Sequence, residues 1–298
     1  DIEWRQVLEV KQKSGSIDSN IMVINALTID FEDWFCVSNL SPAIRFEDWG
    51  KCESRIETNA SKLLDVLDKH DFKATFFVLG WIAERFPDLI CAIDKCGHEI
   101  ASHGYSHIPL INMSREEFDR DLKKAIKIKR DIINKEIIGY RSPSFSITSK
   151  TSWAFETLVN NGIKYDSSVF PTSLHPEYGY PGFTSEIQSP VTGLLEIPLN
   201  VINLFGINIP YGGGGYFRLY PYYITEMLLK KRNSIGKPFV FYLHPWEIDC
   251  EQPRVKTNLL KYFRHYCNLR STFGKFERVL QDYSFASLKE LLLKEDFN

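Results

Sequence analysis

The 298-residue chain lacks any apolar run that approaches the roughly 18 residues needed to span a bilayer. Its first residues also lack the order of a secretory signal, in which a basic stretch precedes an apolar one. We therefore expect a water-soluble protein without a transmembrane segment. Internal repeats and low-complexity tracts are absent as well, so the sequence is typical of an ordinary globular protein.

The six cysteines are scattered and include no C-x-x-C pair. In a chain of this length, that pattern argues against a disulfide scaffold and against a thiolate zinc site. It favours a reducing, cytoplasmic location. The formal net charge is −2, and acidic and basic residues are interspersed. Since a nucleic-acid-binding protein needs a basic stripe to neutralise phosphates, nucleic acid is not an expected partner.

Hydrophobic residues make up 44% of the chain, which is enough for one large core or two modest ones. Residues 1–20 are polar, and we assign no role to this tail. From Ile21 onward, short β-branched or aromatic runs alternate with helical patterns, which is typical of a parallel sheet covered by helices. A capping box formed by Ser114 and Glu117 predicts the start of one helix. The predicted strands cover residues 22–29, 74–79, 98–102, 137–140, 163–166, 194–198 and 239–243, and the predicted helices include 87–96, 114–133 and about 150–160.

The segment from His103 to His107 follows the third predicted strand. Its four-residue spacing lets two imidazoles reach one metal ion if the segment forms a single helical turn. A hydrolytic metal site also needs a third protein ligand, usually a carboxylate, and an open position for water. Taken alone, the two histidines are better explained as surface residues of a polar loop. Their place after a strand, at the same rim as a group of carboxylates, favours the metal site.

Those carboxylates follow the first predicted strand, in Asp30-Phe31-Glu32-Asp33. Mutual repulsion among three acids raises a pKa unless a cation is near, and a bound metal ion removes that conflict. We expect one carboxylate to bind the ion and Asp30 to act as the general base that takes a proton from water. Taken singly, Glu32 or Asp33 is also compatible with an Asx-type turn.

Three further polar residues follow later strands. Arg141 precedes Ser142-Pro143, where the proline would fix the loop and the guanidinium could orient the base by a bidentate contact. For a lone arginine, a surface ion pair is the simpler alternative. His244 follows the last predicted strand and Asp166 an earlier one, and a histidinium beside a carboxylate suits a general acid that protonates a leaving amine. The alternatives are a buried structural histidine and a turn aspartate.

Taken in chain order, these residues form a series that resembles the motifs of the polysaccharide deacetylases, the NodB-homology enzymes of carbohydrate esterase family 4. The resemblance implies a distorted (β/α) barrel with fewer than eight complete units and metal-dependent hydrolysis of an amide. The motifs here are Thr28-Ile29-Asp30, His103-x-x-x-His107, Arg141-x-Pro143, Asp166 and Leu243-His244.

The resemblance also implies a role for each matched residue. Asp30 is expected to be the base, held by Arg141. His103 and His107 are expected to bind the metal ion. His244 is expected to be the acid, with Asp166 as its partner. Leu243 would line the pocket for the acetyl methyl group, and Pro143 would border the substrate.

The first motif departs from the common family pattern, Thr-Phe-Asp-Asp-Gly, in which the metal-binding aspartate directly follows the base. Phe31 occupies that place here, so the metal carboxylate must be Glu32 or Asp33. Strand alternation favours Glu32, which shares a face with Asp30. The shorter side chain and the turn that begins there favour Asp33, and we prefer Asp33 slightly. The expected cofactor is one divalent ion, Zn²⁺ first, with Co²⁺ or Ni²⁺ as alternatives.

A spaced acidic motif also occurs in the branch that contains the exosortase-associated polysaccharide deacetylases, and residues 27–35 resemble its phrase closely. Residues 213–218, 244–249 and 264–266 are similar to the same branch, which implies exopolysaccharide biosynthesis and places Tyr216 at the border of the sugar site. The run from Gly212 to Gly215 lacks the Lys-Ser/Thr of a phosphate loop and predicts a tight or flexible loop. We expect a deacetylase barrel at 21–250 and a short C-terminal helical extension, 251–298, packed on it.

The expected function is removal of N-acetyl groups from amino sugars of a polysaccharide or its precursor, so an N-acetylated glycan is the expected partner. One rival is another C–N hydrolase of the same barrel, such as an allantoinase-like enzyme. The second is a catalytically silent carbohydrate-binding barrel. A glycosidase is less favoured, because two catalytic carboxylates need no histidine pair. The oligomeric state is not predicted.

Overall fold

The computed structural model describes residues 23–174 and 178–294. The predicted tail, residues 1–20, lies outside the described residues, as does Met22 of the first predicted strand. The described chain forms a curled, mostly parallel sheet with helices packed against it and one separate hairpin. The strands are β1 (Ile24–Phe31), β2 (Thr75–Val78), β3 (Glu99–Ser102), β4 (Gly139–Tyr140), β5 (Tyr165–Asp166), β6 (Gln188–Val191), β7 (Leu194–Glu196), β8 (Val201–Leu204), β9 (Ile207–Pro210), β10 (Val240–Leu243) and β11 (Ser284–Ala286).

The helices lie mainly in the connections between parallel strands, as this topology requires. Among the described residues, no helix is both long enough and apolar enough to cross a membrane. Short 3₁₀ turns cover Phe46–Lys51, Leu110–Asn112, Pro143–Phe145 and Pro245–Ile248. The α-helices are α1 (Ile56–Lys69), α2 (Gly80–Arg85), α3 (Pro87–Lys95), α4 (Arg115–Ile133), α5 (Ala154–Asn160), α6 (Gly214–Leu219), α7 (Tyr222–Asn233), α8 (Leu259–Tyr266), α9 (Leu269–Asp282) and α10 (Leu288–Lys294).

The main sheet has the order β10-β1-β2-β3-β4-β5-β7-β6, and only the last pair is antiparallel. Because helices cover the outer face and the curl encloses the inner one, both faces of the central strands are buried. In β1, Leu27 and Ile29 join the outer core, whereas Ala26 joins the inner one. The same alternation places Asp30 on the inner face, where the strand ends.

Two predicted helix starts are confirmed in detail. Ser114 Oγ accepts a hydrogen bond from the Glu117 amide, and Glu117 Oε2 accepts one from the Ser114 amide, which completes the predicted capping box at α4. Helix α3 begins with Pro87 at its first turn. Gly97, with a φ of +83°, follows the end of that helix.

Two segments that follow β7, at Asn200 and at residues 212–213, contact β10 without forming a regular strand. The Asn200 side chain accepts from the Val240 amide at 3.1 Å and donates to the Val240 carbonyl. The Gly212 carbonyl accepts from the Tyr242 amide at 3.1 Å. A Cβ on Gly213 would lie 2.3 Å from the Tyr242 carbonyl oxygen, so only glycine fits. The predicted tight glycine loop is thus the segment that completes the barrel wall.

The C-terminal extension adds more than helices. Strand β11 pairs in parallel with the first residues of β1. The amide of Leu288, which begins α10, donates to Thr75 Oγ1 at 2.8 Å, and the next amide, of Lys289, donates to Glu99 Oε2 at 3.0 Å. Leu288, with two further α10 leucines, is buried in the inner core. The predicted helical extension therefore also contributes a strand, and α10 covers the amino-terminal end of the barrel interior.

Candidate functional site

The carboxyl ends of the parallel strands meet at one rim, where a cavity of about 350 Å³ opens. Strand β1 brings Asp30 and, directly after its last residue, Glu32. The histidine loop follows β3, and β10 ends directly before His244. The sequence therefore predicted correctly that residues far apart in the chain meet here. The predicted site residues that line the cavity are Asp30, Glu32, His103, His107, Tyr216 and His244.

A cluster of three ligand-type side chains lies at the base of this cavity. Glu32, His103 and His107 each bring one ligand atom to within 4.8 Å of the others. Glu32 Oε2 lies 2.9 Å from His107 Nε2. The Nδ1–H of His103 donates to the carbonyl of Arg141 at 2.8 Å. This bond fixes the tautomer and leaves His103 Nε2 with a free lone pair.

The cluster fits one divalent metal ion. A carboxylate with two imidazoles is a donor set that catalytic Zn²⁺ sites use, and it leaves a position for water. Glu32 is buried, yet it contacts no lysine or arginine among the described residues. Its neighbours that can carry a positive charge are imidazoles, with His107 Nε2 at 2.9 Å and His244 Nε2 at 3.7 Å, and a bound ion would further offset the cost of burying the carboxylate. The buried Nδ1 of His107 also lacks a hydrogen-bond partner within the described part of the chain.

The histidine loop does not form the helical turn that its spacing suggested. Gly104 and His107 have φ values of +71° and +53°, so the chain turns twice through the left-handed region. Asp121 of α4 holds the loop: its carboxylate accepts from the Tyr105 amide at 2.8 Å and from Ser106 Oγ at 3.2 Å. The two imidazoles converge because of this loop geometry.

The preference for Asp33 as the metal carboxylate is wrong in this geometry. Asp33 Oδ1 accepts from the Trp34 amide at 2.9 Å, and Oδ2 accepts from Ser54 Oγ at 2.6 Å and from the Arg55 amide at 3.0 Å. Its carboxylate therefore ties the end of β1 to the start of α1. Strand alternation favoured Glu32, which lines the cavity together with Asp30.

Asp30 is held by a buried arginine, as predicted, but through one nitrogen. Arg141 Nη1 lies 2.7 Å from Asp30 Oδ1 and 2.8 Å from Thr28 Oγ1. The predicted bidentate contact is absent because Nε and Nη2 donate to the carbonyl and the hydroxyl of Ser167, each at 2.9 Å. The guanidinium is fully buried, which excludes the surface ion pair.

His244 faces Asp30 across the cavity and has a different partner from the predicted one. His244 Nε2 lies 3.7 Å from Asp30 Oδ2, and its Nδ1 lies 2.9 Å from Glu247 Oε2. Burial alone lowers the pKa of His244, but the carboxylates of Glu247, Glu32 and Asp30 together outweigh burial and raise the pKa to about 9. Arg218 Nε donates to the other oxygen, Glu247 Oε1, at 2.7 Å.

Asp166 is instead paired with Glu196 of the adjacent strand, which is its register partner. Asp166 accepts from Ser168 Oγ, and Glu196 Oε1 accepts from the Val169 amide at 2.9 Å. Burial raises the pKa of both carboxyls, so the pair retains a proton that separate acids would lose. The predicted Asp166–His244 pair is therefore corrected to Glu247–His244.

The surroundings of Glu32 and His103 favour the protonation states in which these side chains bind a metal ion. Burial alone raises the pKa of Glu32, but the three surrounding histidines outweigh it and hold the pKa at about 2. Burial lowers the pKa of His103 to about 4. A carboxylate and a neutral imidazole are the forms that bind metal ions.

The predicted substrate residues have mixed outcomes. Tyr216 lines the cavity, and its hydroxyl lies 3.1 Å from that of Tyr178. Leu243 does not line it, because its neighbours Tyr242 and His244 face the cavity and the alternating side chain packs in the outer core. Pro143 is buried beside the rim, and the next two residues line the cavity in its place.

Three residues that hold this site lie in the branch-like segments 213–218 and 244–249, but the sequence predicted no role for them. Glu247 and Arg218 form a buried ion pair behind His244, and Trp246 Nε1 donates to Glu32 Oε1 at 3.2 Å. Glu247 lies three residues after His244, with a proline directly after the histidine. This spacing could have predicted that Glu247 caps the following 3₁₀ turn. For Arg218 the only signal was its place in the branch-like segment 213–218, which did not indicate its partners because they come from distant segments.

Two family models match the chain, one on each side of residue 165. Residues 41–162 match the family described as "Polysaccharide deacetylase", and residues 167–293 match a "Domain of unknown function". A "Peptidoglycan deacetylase" from Helicobacter pylori is 31% identical over 122 residues, 41% of this chain and 41% of that protein. A "Peptidoglycan-N-acetylglucosamine deacetylase" from Bacillus cereus is 29% identical over 158 residues, 46% of this chain and 56% of that protein. The chain thus spans about half the length of these curated relatives.

A solved structure from Mycobacterium smegmatis aligns with this chain with a TM-score of 0.59 at 19% identity. The alignment covers 94% of this chain and 93% of that one. It confirms the predicted distorted (β/α) barrel. The narrower exosortase-associated branch stays a prediction. The matched family model and the curated relatives show that residues 41–162 are similar to the polysaccharide deacetylase family, and the solved structure shows the same fold.

Proposed function

We propose that the chain is a metal-dependent hydrolase that removes N-acetyl groups from amino sugars of a polysaccharide or its precursor. The observation that carries the proposal is the meeting of the Glu32–His103–His107 cluster with Asp30 and His244 in one cavity. The similarity to peptidoglycan and chitooligosaccharide deacetylases supports the substrate class. Zn²⁺ is the proposed ion, with Co²⁺ and Ni²⁺ as alternatives.

A divalent ion at this cluster would supply Lewis acidity, which acidifies water and polarises an amide carbonyl. Asp30 takes the proton from the attacking water. Its Oδ1 is engaged by Arg141, so Oδ2 is the oxygen left to face the cavity. The full burial of this ion pair keeps the carboxylate in one orientation.

His244 donates the proton to the leaving amine nitrogen from Nε2. Its Nδ1–H is bonded to Glu247, which fixes the ring and favours its protonated form. His244 Nε2 lies 3.7 Å from Asp30 Oδ2, so the acid and the base lie side by side in the same cavity. Tyr216 and Tyr242 offer aromatic walls on which a sugar face can stack.

The test is acetate release by Asp30→Asn, compared with the parent on an N-acetylglucosamine oligomer. Asparagine keeps the shape and can still accept from Arg141, so we expect a folded, metal-loaded variant that is slower by about 10²–10⁴-fold. Equal rates at equal metal content would contradict the role of Asp30. Assays on allantoin separate the rival C–N hydrolase. Glycan binding without acetate release under any divalent ion would instead support a silent binding barrel.

A further inference from the structure

Helix α8, in the C-terminal extension, is hydrogen-bonded and packed against the barrel on one side and exposed to solvent on the other. Arg218 donates to the carbonyls of Arg264 and His265 at 2.7 and 2.8 Å, and His265 stacks on Trp246 with ring centroids 4.4 Å apart. The outer side exposes large apolar side chains: Leu259 is 89% exposed, Leu260 59% and Phe263 55%. An apolar group of this size on a short, well-anchored helix needs a partner.

The same segment is strongly basic, although the whole chain has a net charge of −2. Residues 252–276 contain no aspartate or glutamate. The six lysines and arginines in this segment form no ion pair with any residue in the described part of the chain. Lys275 donates to the carbonyls of Phe217, Arg218 and Tyr220, and the other five cations lie within residues 254–270. They are Arg254, Lys256, Lys261, Arg264 and Arg270.

We propose that α8 and its basic flanks, residues 254–270, dock on an anionic lipid bilayer. Leucine and aromatic side chains beside unpaired lysine and arginine are the combination that interfacial helices bury at the headgroup boundary. A second copy of the chain would bring two positive surfaces together, which charge repulsion opposes. A soluble anionic polymer would pair with the cations but would leave Leu259 and Leu260 in water.

The docked face borders the catalytic cavity, because Arg264, at the end of α8, lines it. Docking would thus hold the cavity opening at the membrane surface. If the proposed function is correct, the substrate presented there is a glycan attached to a lipid. The docking itself does not depend on that function and is tested without activity.

The test is co-sedimentation of the full chain with vesicles of phosphatidylcholine, with and without phosphatidylglycerol. We expect binding only to the anionic vesicles. The double variant Leu259→Ser/Phe263→Ser, and separately Lys256→Gln/Lys261→Gln, should weaken that binding about tenfold. The matched control is Ile111→Ser, which is 56% exposed on the 3₁₀ turn Leu110–Asn112, and it should bind as the parent does.

Four results would overturn the proposal. Equal binding to neutral and anionic vesicles, or to neither, would remove the electrostatic component. A parent that dimerises in analytical ultracentrifugation, with the Leu259/Phe263 variant monomeric, would assign the face to a second copy. A large loss of thermal stability in that variant would show that the face is covered within the chain. Unchanged vesicle binding by both double variants would place the docking surface elsewhere.

Discussion

Glu32 and Asp33 are adjacent acids with different surroundings: Glu32 lies in the ligand cluster, whereas Asp33 is hydrogen-bonded to Ser54 and Arg55. We predict that Glu32→Gln lowers affinity for the divalent ion by more than about 100-fold, because an amide is a poor replacement for a carboxylate ligand. Asp33→Asn should keep the ion but lower the free energy of unfolding by about 1–3 kcal/mol, since it disturbs buried hydrogen bonds to Ser54 and Arg55. Metal content and chemical denaturation measure the two effects. The reverse pattern would reinstate Asp33 as the ligand.

Two substrates, one whose leaving group needs a proton and one whose leaving group does not, can show which carboxylate supports His244 as the acid. We predict that Glu247→Gln slows amide cleavage by about 100-fold or more, because the leaving amine must be protonated. It should slow hydrolysis of p-nitrophenyl acetate much less, since nitrophenolate leaves without a proton. The matched control, Asp166→Asn, should leave the ratio of the two rates unchanged.

A fall of both rates by the same factor in Glu247→Gln would indicate a structural role alone. A selective loss of amide cleavage in Asp166→Asn would restore the pairing that the motif series implied. The ring orientation of His244 rests on the Nδ1 contact with Glu247, so loss of that contact affects proton donation before it affects the ligand cluster.

Strand alternation was the most informative signal for single residues. It placed Asp30 and Glu32 on one face, and the structure agrees. It could not show that Asp33 would meet Ser54 and Arg55, because that contact depends on where the following loop returns. The same limit applies to Arg218, whose acceptors lie 46 and 47 residues away in the chain.

At the scale of elements, the register of β5 with β7 creates a buried acid pair. Asp166 and Glu196 have raised pKa values, so the folded protein holds a proton that the unfolded chain releases above about pH 4. Stability should therefore fall as pH rises from about 4 through the raised pKa. We predict that Asp166→Asn, which keeps an acceptor for Ser168, flattens this decline and is more stable than the parent at pH 8.

The check is the free energy of unfolding of both proteins from pH 4 to pH 8. Subtracting one curve from the other removes the contribution of the remaining groups, including buried Glu99, whose pKa is also raised by burial. Parallel curves would contradict a shared proton in the pair.

Local patterns predicted several element boundaries well and failed where a segment depends on distant partners. The capping box of α4 and the proline start of α3 are encoded by adjacent residues, so sequence alone sufficed. The β8–β9 hairpin and the Asn200 bridge to β10 were not predicted. Asn200 is one polar side chain, and its role exists only because Val240 of β10 lies opposite it.

At the scale of the whole molecule, the barrel and the C-terminal extension share one interior. The sequence predicted that the extension packs on the barrel, but the pairing of β11 with β1 could not be read from either segment separately. Register between strands more than 250 residues apart depends on the closed barrel. The short β11, with three residues, gives too little periodicity to mark a strand.

Because of this shared interior, we predict one cooperative unfolding transition that a substitution in α10 shifts as a whole. Leu292 is fully buried in the inner core, whereas its neighbour Leu293 is 36% exposed. Leu292→Ala should lower the free energy of unfolding by about 2–5 kcal/mol, the cost of a cavity in a packed core. Leu293→Ala should cost clearly less. Thermal denaturation followed by far-UV and near-UV circular dichroism should give coincident curves for both. Two separate transitions, with only the smaller one moved by Leu292→Ala, would show that the extension folds independently and that α10 does not stabilise the barrel.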